Sequence, residues 1–213
     1  MNKSIHYNQS NIENSYSKFA WMYDLWSNLT ESKAFRRVLE FISIKDGESI
    51  LEIAVGTGIL FEQIVRLNPK GRNEGLDLSE SMLKKARIRL MKYKHFNLIH
   101  GDASRLPYNS NTFDILVNNY MLDLLPSEDY LSILREFKRV LKPGGKLVIT
   151  TMTNGKEWYS KIWDFVAKIA PSLLTGCRPV NLRSIIKSSG FKLEKSEYLT
   201  QNTFPSLIIY ARK

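Results

Sequence analysis

The sequence predicts an α/β fold in which helices cover both faces of a mostly parallel sheet. From residue 49 onward, short apolar segments typical of buried strands alternate with amphipathic segments of helical period. A Gly-Thr-Gly turn (56–58) separates the first strand from the helix that follows it. Strands that alternate with helices pair in parallel, because each helix carries the chain back across a face of the sheet. The length of 213 residues suits one domain.

The bounds of the elements follow from the apolar period and from the turn residues between segments. The predicted strands cover 49–54, 73–79, 96–103, 112–120 and 146–152, followed by a hairpin-like pair at 191–200 and 204–213. The predicted helices cover 12–30, 31–42, 58–67, 79–93, 127–141, 157–170 and 181–190. Ser79 and Ser127 are the expected N-caps of two helices, and "KPGG" (142–145) is expected to end the second of them.

The composition narrows the class of protein. The chain has 31 Lys and Arg against 21 Asp and Glu, which gives a formal net charge of +10. Such a charge favours binding of anionic partners. The alternative interpretation is a soluble enzyme that is simply basic. The single cysteine, Cys177, excludes an intrachain disulfide framework and a multi-thiolate zinc cluster, and it suits a reducing cytosol. We expect no signal peptide, no membrane span and no metal site, and hence a cytoplasmic protein.

Acidic and amide side chains stand at the carboxyl ends of four predicted strands. Glu52 ends the first strand just before the glycine turn, and Asp77 ends the second. Asp102 follows the third strand, and Asn118 lies near the end of the fourth. Ligands of open parallel sheets bind at this edge, so these residues are candidates for one site. The structural alternative is that Glu52 caps a helix or loop and that Asp102 caps a turn.

The glycine turn distinguishes between types of cofactor. A phosphate-binding P-loop needs a lysine after its glycines, and none follows here. The dinucleotide pattern needs a third glycine where this chain has Phe61, which prevents the required close approach of helix and strand. Glu52 would repel a pyrophosphate but suits a cationic amine. Together with Asp77 and Asp102, it points to S-adenosylmethionine, which has a sulfonium, an ammonium, a ribose and an adenine but no phosphate.

Five stretches, in order and spacing over about two thirds of the chain, resemble a known family. They are "YDLW" (23–26), "ILEIAVGTG" (50–58), "GLDLSESMLKKAR" (75–87), "GDASRLPYNSNTFDILV" (101–117) and "EFKRVLKPGGKLVIT" (136–150). They resemble class I S-adenosylmethionine-dependent methyltransferases of the ubiquinone/menaquinone C-methyltransferase-like group (methyltransferase type 11). The resemblance implies a Rossmann-like seven-stranded sheet with an antiparallel C-terminal strand. It also implies an N-terminal helical lid over 1–45, a methyltransferase domain over 46–213 and a substrate-specificity segment over 152–190.

The resemblance also implies which residues bind S-adenosylmethionine and its product S-adenosylhomocysteine. Glu52, Gly56 and Gly58 would frame the methionine part, and Asp77 would bind the ribose. The other implied cofactor contacts are Tyr23, Ala54, Leu78, Met82, Asp102, Ala103, Asn118 and Tyr120, with Met82 alternatively a core residue. Ala54 departs from the family, which usually has a glycine there. We expect the extra methyl group to be tolerated on a backbone with negative φ.

The acceptor of the methyl group should lie against two aromatic segments outside the common core. The candidate acceptor-binding residues are Tyr16, Trp158, Trp163 and Arg178, each of which could instead be an ordinary core or surface residue. No catalytic base is evident. Asp123 is a weak candidate, and the favoured alternative for it is a solvated loop or capping residue. The three histidines, His6, His95 and His100, are poorly placed for the role.

Three functional hypotheses remain open. The first is methyl transfer to a small hydrophobic or amphipathic acceptor such as a quinone precursor, a lipid head group or a natural product. The second is methylation of RNA or protein through the basic run "KKARIRLMKYK" (84–94), and the third is cofactor binding without catalysis. A nucleic-acid acceptor is disfavoured because no Asn-Pro-Pro-Tyr motif follows the fourth strand. The basic run could also contact an anionic membrane surface.

Overall fold

The computed structural model describes residues 29–156 and 178–213. Two predicted helices, 12–30 and 157–170, therefore lie wholly or almost wholly outside the described residues. So do the candidate residues Tyr16, Tyr23, Trp158 and Trp163.

The described segments fold into helices and strands that alternate as predicted. The helices are α1 (Ser32–Ile42), α2 (Ile59–Leu67), α3 (Glu80–Leu90), α4 (Tyr130–Val140) and α5 (Arg183–Ser188). The strands are β1 (Ser49–Ile53), β2 (Arg72–Asp77), β3 (Asn97–His100), β4 (Phe113–Asn119), β5 (Leu141–Met152), β6 (Lys192–Gln201) and β7 (Phe204–Arg212). Two short 3₁₀ turns, Leu122–Leu124 and Ser127–Asp129, connect β4 to α4.

The strands form one seven-stranded sheet in the order β3-β2-β1-β4-β5-β7-β6. The first five strands pair in parallel, and β7 runs antiparallel to both of its neighbours. The predicted Rossmann-like sheet with an antiparallel C-terminal strand is therefore confirmed. The strand order reverses direction between β1 and β4, and the crevice at such a point is where ligands of this type of sheet bind.

Buried apolar side chains line both faces of the sheet and hold helices against each. On one face α4 and α5 pack against β1 and β4 through Phe137, Ile186 and their neighbours. On the other face α1 and α2 pack through Val38 and Ile64. The described end of the predicted N-terminal lid, α1, thus forms part of the core, where it places Phe35 beside Tyr120 with ring centroids 6.4 Å apart.

Two predicted boundaries differ from those in the structure. Ser127 is not the N-cap of α4, because a 3₁₀ turn comes first and the helix begins at Tyr130 after Asp129. The helix α4 ends at Val140, just before "KPGG" as predicted, but β5 starts at Leu141 and not at residue 146, so that "KPGG" lies within the strand. The glycines join the sheet through the chain end, since Gly144 donates to Lys213 O and Lys213 donates to Gly145 O, both at 3.1 Å. No helix within the described ranges is long and apolar enough to cross a membrane.

Candidate functional site

The loop between β1 and α2 takes a left-handed backbone at three positions. Ala54 has φ 61°, Gly56 has φ 54° and Gly58 has φ 82°. The negative φ on which tolerance of the Ala54 methyl group was made conditional is therefore not present, and Ala54 lies in a conformation that disfavours residues with a Cβ. Gly58 is needed for a second reason, because a Cβ there would lie 3.1 Å from Ala86 Cβ on α3. The loop is thus folded tightly against α3.

Phe61, at the position where the dinucleotide pattern has its third glycine, packs between α2 and β2. Its side chain is fully buried. Gly75 on β2 makes room for it, since a Cβ at Gly75 would lie 3.1 Å from the Phe61 ring and 2.6 Å from Leu98. A glycine on the strand therefore takes the place of a third glycine on the helix, in keeping with the exclusion of the dinucleotide pattern.

Glu52 is a buried carboxylate that faces an open cleft. Its side chain is 3% exposed, and Oε2 has no hydrogen-bond partner among the described residues. Burial raises the pKa of Glu52 well above its ordinary value, and the charge on Asp77 raises it further. A buried carboxylate without a partner is stabilised when a ligand brings a cation to it.

Asp77, at the end of β2, holds the glycine loop and the start of α3 together. Its Oδ2 accepts from Gly56 N–H at 2.7 Å, and its Oδ1 accepts from Ser79 N–H at 2.8 Å. Burial raises the pKa of Asp77, while these two backbone hydrogen bonds lower it. Each carboxylate oxygen can accept a second hydrogen bond, so Asp77 can also receive two neighbouring hydroxyl groups of a ligand.

The residues predicted around an adenine lie near Asp77 at the ends of β2 and β3. Ser79 is the N-cap of α3 as predicted, accepting from Met82 N–H at 3.4 Å, and Met82 is buried. Leu78 is partly exposed, and its carbonyl lies 2.7 Å from His100 Nε2. Asp102 is exposed and caps a turn by accepting from Ser104 N–H at 2.8 Å, and Ala103 beside it is buried.

The two predicted contacts at the end of β4 differ in their surroundings. Asn118 is fully buried, and its Nδ2 donates to Ile53 O at 3.0 Å, which ties β4 to β1. Tyr120 follows with φ 48°, a rare conformation for an aromatic residue, and its hydroxyl lies 2.7 Å from Ser206 Oγ. Tyr120 and Ala54 thus place two strained backbones at the ends of adjacent strands.

The cleft between these loops has a volume of about 310 Å³, part of which is open to solvent. Its described lining consists of Phe35, Glu52, Ala54, Val55, Thr57, Ile59, Leu60, Asn119 and Tyr120. Of these nine residues, sequence reasoning predicted Glu52, Ala54 and Tyr120 and missed the other six, Phe35 and Asn119 among them. For Asn119 a signal was present, because strand alternation places it on the same face as Val117 and opposite to Asn118.

The remaining candidates lie beyond this described lining. Asp123 is fully buried, which makes a solvated position wrong, and its carboxylate accepts from Met152 N–H at 2.8 Å. This favours a structural role over a catalytic one. Arg178 is exposed, and its guanidinium donates to Leu125 O while its backbone N–H donates to Asp123 O at 3.2 Å. These two hydrogen bonds connect the start of the described range 178–213 to the loop after β4.

The basic run on α3 and the turn after it is partly neutralised. Arg87 pairs with Glu80 at 2.6 Å, and Lys92 pairs with Glu62 at 3.0 Å. Two apolar residues of the same run, Ile88 and Met91, are 67% and 73% exposed. The surface is therefore both cationic and apolar.

The donor set fits S-adenosylmethionine better than a metal ion. An unpartnered buried carboxylate faces the cleft at Glu52, and a second at Asp77 can accept from hydroxyls. Such a pair suits a ligand with a cation at one end and a ribose at the other. Across the ranges 29–156 and 178–213, no group of three or more His, Cys, Asp or Glu side chains is arranged to hold a metal ion.

The chain is similar to known methyltransferases in sequence and in structure. A family described as a methyltransferase domain matches residues 50–145. A demethylmenaquinone methyltransferase from Staphylococcus aureus (strain JH9) is 29% identical over 209 residues, covering 92% of this chain and 79% of the relative. A methyltransferase from Aquifex aeolicus superposes with a TM-score of 0.67 at 20% identity, covering 97% of this chain and 98% of the other. One from Thermotoga maritima gives 0.71 at 18% identity, covering 94% and 99%.

Proposed function

This chain is a class I S-adenosylmethionine-dependent methyltransferase, and on that premise we propose that it methylates a small, apolar or amphipathic acceptor with a ring hydroxyl, of the quinol class. The single observation that carries the proposal is the cleft in which the buried Glu52 carboxylate lies among apolar and aromatic side chains. The relative that acts on demethylmenaquinone supports this class of acceptor.

Glu52 and Asp77 hold the cofactor in this proposal. Glu52 receives the ammonium of the methionine part, and Asp77 receives the ribose hydroxyls while it keeps the glycine loop closed through Gly56. When bound, the cofactor supplies a methyl carbon that an acceptor carbon attacks in line, with the electron pair of the broken C–S bond staying on sulfur. Met82, Ala103 and the other predicted contacts stay proposals for the adenine end.

The acceptor lies against the apolar wall formed by Phe35, Ile59, Leu60 and Tyr120. Because these side chains surround a cleft beside Glu52, they would exclude water from the reacting atoms and align the acceptor ring. The predicted acceptor contacts Tyr16, Trp158 and Trp163, in the lid over 1–45 and the specificity segment over 152–190, stay proposals. Arg178 is not part of this wall, because it is exposed and its guanidinium donates to Leu125 O.

The chemistry of the described lining favours an acceptor that is itself acidic. Among the described lining residues there is no histidine, lysine or cysteine, and the Tyr120 hydroxyl is engaged with Ser206. A phenolic hydroxyl loses its proton to water and makes the neighbouring ring carbon nucleophilic. After the carbon–carbon bond forms, the ring carbon loses its own proton to water and aromaticity returns. An acceptor of this kind needs no dedicated base.

Contact with an anionic membrane surface is part of the proposal. Ile88 and Met91 are exposed on a surface that also carries Lys84 and Lys94, a combination that suits insertion into the head-group region of an anionic bilayer. Such contact would bring the protein close to acceptors dissolved in the membrane. The pairing of Arg87 and Lys92 with acids argues against a surface devoted to RNA.

A product assay tests the function. Purified protein is incubated with methyl-labelled S-adenosylmethionine and, in parallel, reduced 2-geranyl-1,4-naphthoquinone, total lipid extract, RNA or a protein extract. We expect label on the ring carbon of the naphthoquinol. Label found only in RNA or in protein would overturn the proposed acceptor, and cofactor binding without label in any product would overturn the assignment of transfer to this acceptor class.

A further inference from the structure

We propose that Asn119, assisted by Thr150, binds the ring oxygen of the acceptor and sets which carbon faces the methyl group. This inference rests on the proposed function and deepens it. The two residues stand side by side, because Asn119 at the end of β4 pairs in register with Thr150 of β5. The Tyr120 N–H donates to Thr150 O at 2.8 Å and fixes this pairing.

Both side chains are buried and keep their hydrogen-bonding atoms unused. Asn119 is 8% exposed and Thr150 is fully buried. Neither the Oδ1 nor the Nδ2 of Asn119, nor the Oγ1 of Thr150, has a hydrogen-bond partner among the described residues. Buried polar groups are almost always satisfied, so a ligand that reaches them gains by pairing with them.

The direction of Asn119 follows from its strand. Successive side chains of β4 point to opposite faces of the sheet, so Asn119 and Asn118 point apart. Asn118 donates to Ile53 O at 3.0 Å and serves the sheet itself. Asn119 instead lines the cleft together with Glu52 and Phe35. Glu52 is accounted for by the cation of the cofactor, whereas Asn119 presents a carboxamide to the cleft with no hydrogen-bond partner among the described residues.

The chemistry of the pair indicates a neutral or phenolate oxygen on the acceptor. The carboxamide of Asn119 donates through Nδ2 to a ring oxygen, which stabilises negative charge on it during attack, and the Thr150 hydroxyl can donate or accept beside it. No lysine or arginine is among the described lining residues, which disfavours an acceptor held by a phosphate or carboxylate group. A quinol ring that lies against Phe35 and Tyr120 meets these requirements.

The test compares Asn119→Leu and Thr150→Val with Thr151→Val. Thr151 is the neighbour of Thr150 on the opposite face, is equally buried, and has an equally unpartnered hydroxyl, so it is a matched control. Three quantities are measured: the Kd for S-adenosylmethionine by calorimetry, kcat and KM for reduced 2-geranyl-1,4-naphthoquinone, and binding of that probe to the S-adenosylhomocysteine complex by quenching of tryptophan fluorescence.

We expect Asn119→Leu to lower kcat/KM at least 30-fold and to weaken probe binding at least tenfold, with the cofactor Kd changed less than twofold. Thr150→Val should lower kcat/KM three- to tenfold, and Thr151→Val should leave it unchanged. Thr150→Val also keeps the proposal testable if Asn119→Leu does not fold. Weaker cofactor binding with unchanged probe binding would assign Asn119 to the cofactor and overturn the inference, as would two variants with wild-type kinetics. Wild-type protein that neither binds nor methylates the probe would overturn the proposed acceptor class, and this inference with it.

Discussion

Glu52 and Asp77 place two buried carboxylates at the carboxyl ends of neighbouring parallel strands, on either side of a loop that Asp77 itself holds through Gly56 N–H. Burial raises the pKa of both side chains. The ionised forms of these two side chains are therefore unfavourable unless a bound ligand brings a cation to them.

This relationship predicts how the stability of the cofactor-free protein depends on pH. The pKa of Glu52 is raised above its ordinary value of 4.5. Between pH 4.5 and the raised value, the native state holds a proton that the unfolded chain has lost, so this residue makes stability fall as the pH rises. In Glu52→Gln, the free energy of unfolding should fall less steeply with pH, by up to about 1.4 kcal/mol per pH unit. This variant should also be more stable than wild type at pH 7. Urea unfolding from pH 5 to 8 measures this, and parallel curves for the two proteins would contradict it.

Asp77→Asn should weaken S-adenosylmethionine binding roughly 10- to 100-fold, because hydrogen bonds from hydroxyls to a charged carboxylate are worth roughly 1.5–3 kcal/mol. The control is Asp114→Asn. Asp114 accepts from Ser49 N–H and from Lys142 Nζ, at the amino ends of the strands, so its loss should affect stability and leave the Kd alone. Calorimetric titration of both variants measures the Kd for S-adenosylmethionine. An unchanged Kd for Asp77→Asn would show that Asp77 does not bind the ribose.

Ala54→Gly should stabilise the protein by about 1 kcal/mol or less. A left-handed backbone costs a residue with a Cβ roughly 1–2 kcal/mol, while the greater freedom of glycine in the unfolded chain returns about 0.4–1 kcal/mol of that. Ala86→Gly, in the interior of α3, should instead destabilise by about 1 kcal/mol or more. Thermal melts of the two variants should therefore shift in opposite directions. A lower melting temperature for Ala54→Gly would show that the methyl group of Ala54 makes contacts that outweigh the backbone strain.

The surface formed by Ile88, Met91 and the surrounding cations should bind anionic bilayers. The double variant Ile88→Ser/Met91→Ser should reduce co-flotation with vesicles of phosphatidylglycerol and phosphatidylcholine several-fold. Leu67→Ser, which alters an exposed apolar residue on α2, is the control and should float like wild type. If wild-type protein floats equally well with pure phosphatidylcholine, the electrostatic part of the proposal is contradicted. If it floats with neither kind of vesicle, the whole proposal is contradicted.

The sequence predicted the β1–loop–α2 unit and the cap of α3 because these depend on local chemistry. The apolar run ending at Glu52, the glycines after it and the side chain of Ser79 each act within a few residues. The seven-stranded sheet with its antiparallel C-terminal strand was predicted from the family resemblance together with the alternation of elements. These features required no knowledge of contacts between distant parts of the chain.

The features that sequence reasoning missed depend on distant contacts. "KPGG" joins β5 because Gly144 and Gly145 bond to Lys213 at the chain end, which a local Pro-Gly signal does not reveal. Strand alternation predicts that Asn119 faces away from Asn118, but the placement of that face in the cleft depends on the pairing of β4 with β1 and β5. The left-handed backbone of Ala54 went unrecognised because the residue type argues against it.

In the proposed function, Glu52 receives the cation of S-adenosylmethionine. The most direct measurement is a calorimetric titration of wild type and Glu52→Gln with S-adenosylmethionine at pH 7, each in two buffers of different ionisation enthalpy. We expect one-site binding by wild type with release of up to one proton, and binding by Glu52→Gln that is weaker and releases none. Equal affinity and equal proton release in the two proteins, or no binding by wild type, would contradict it.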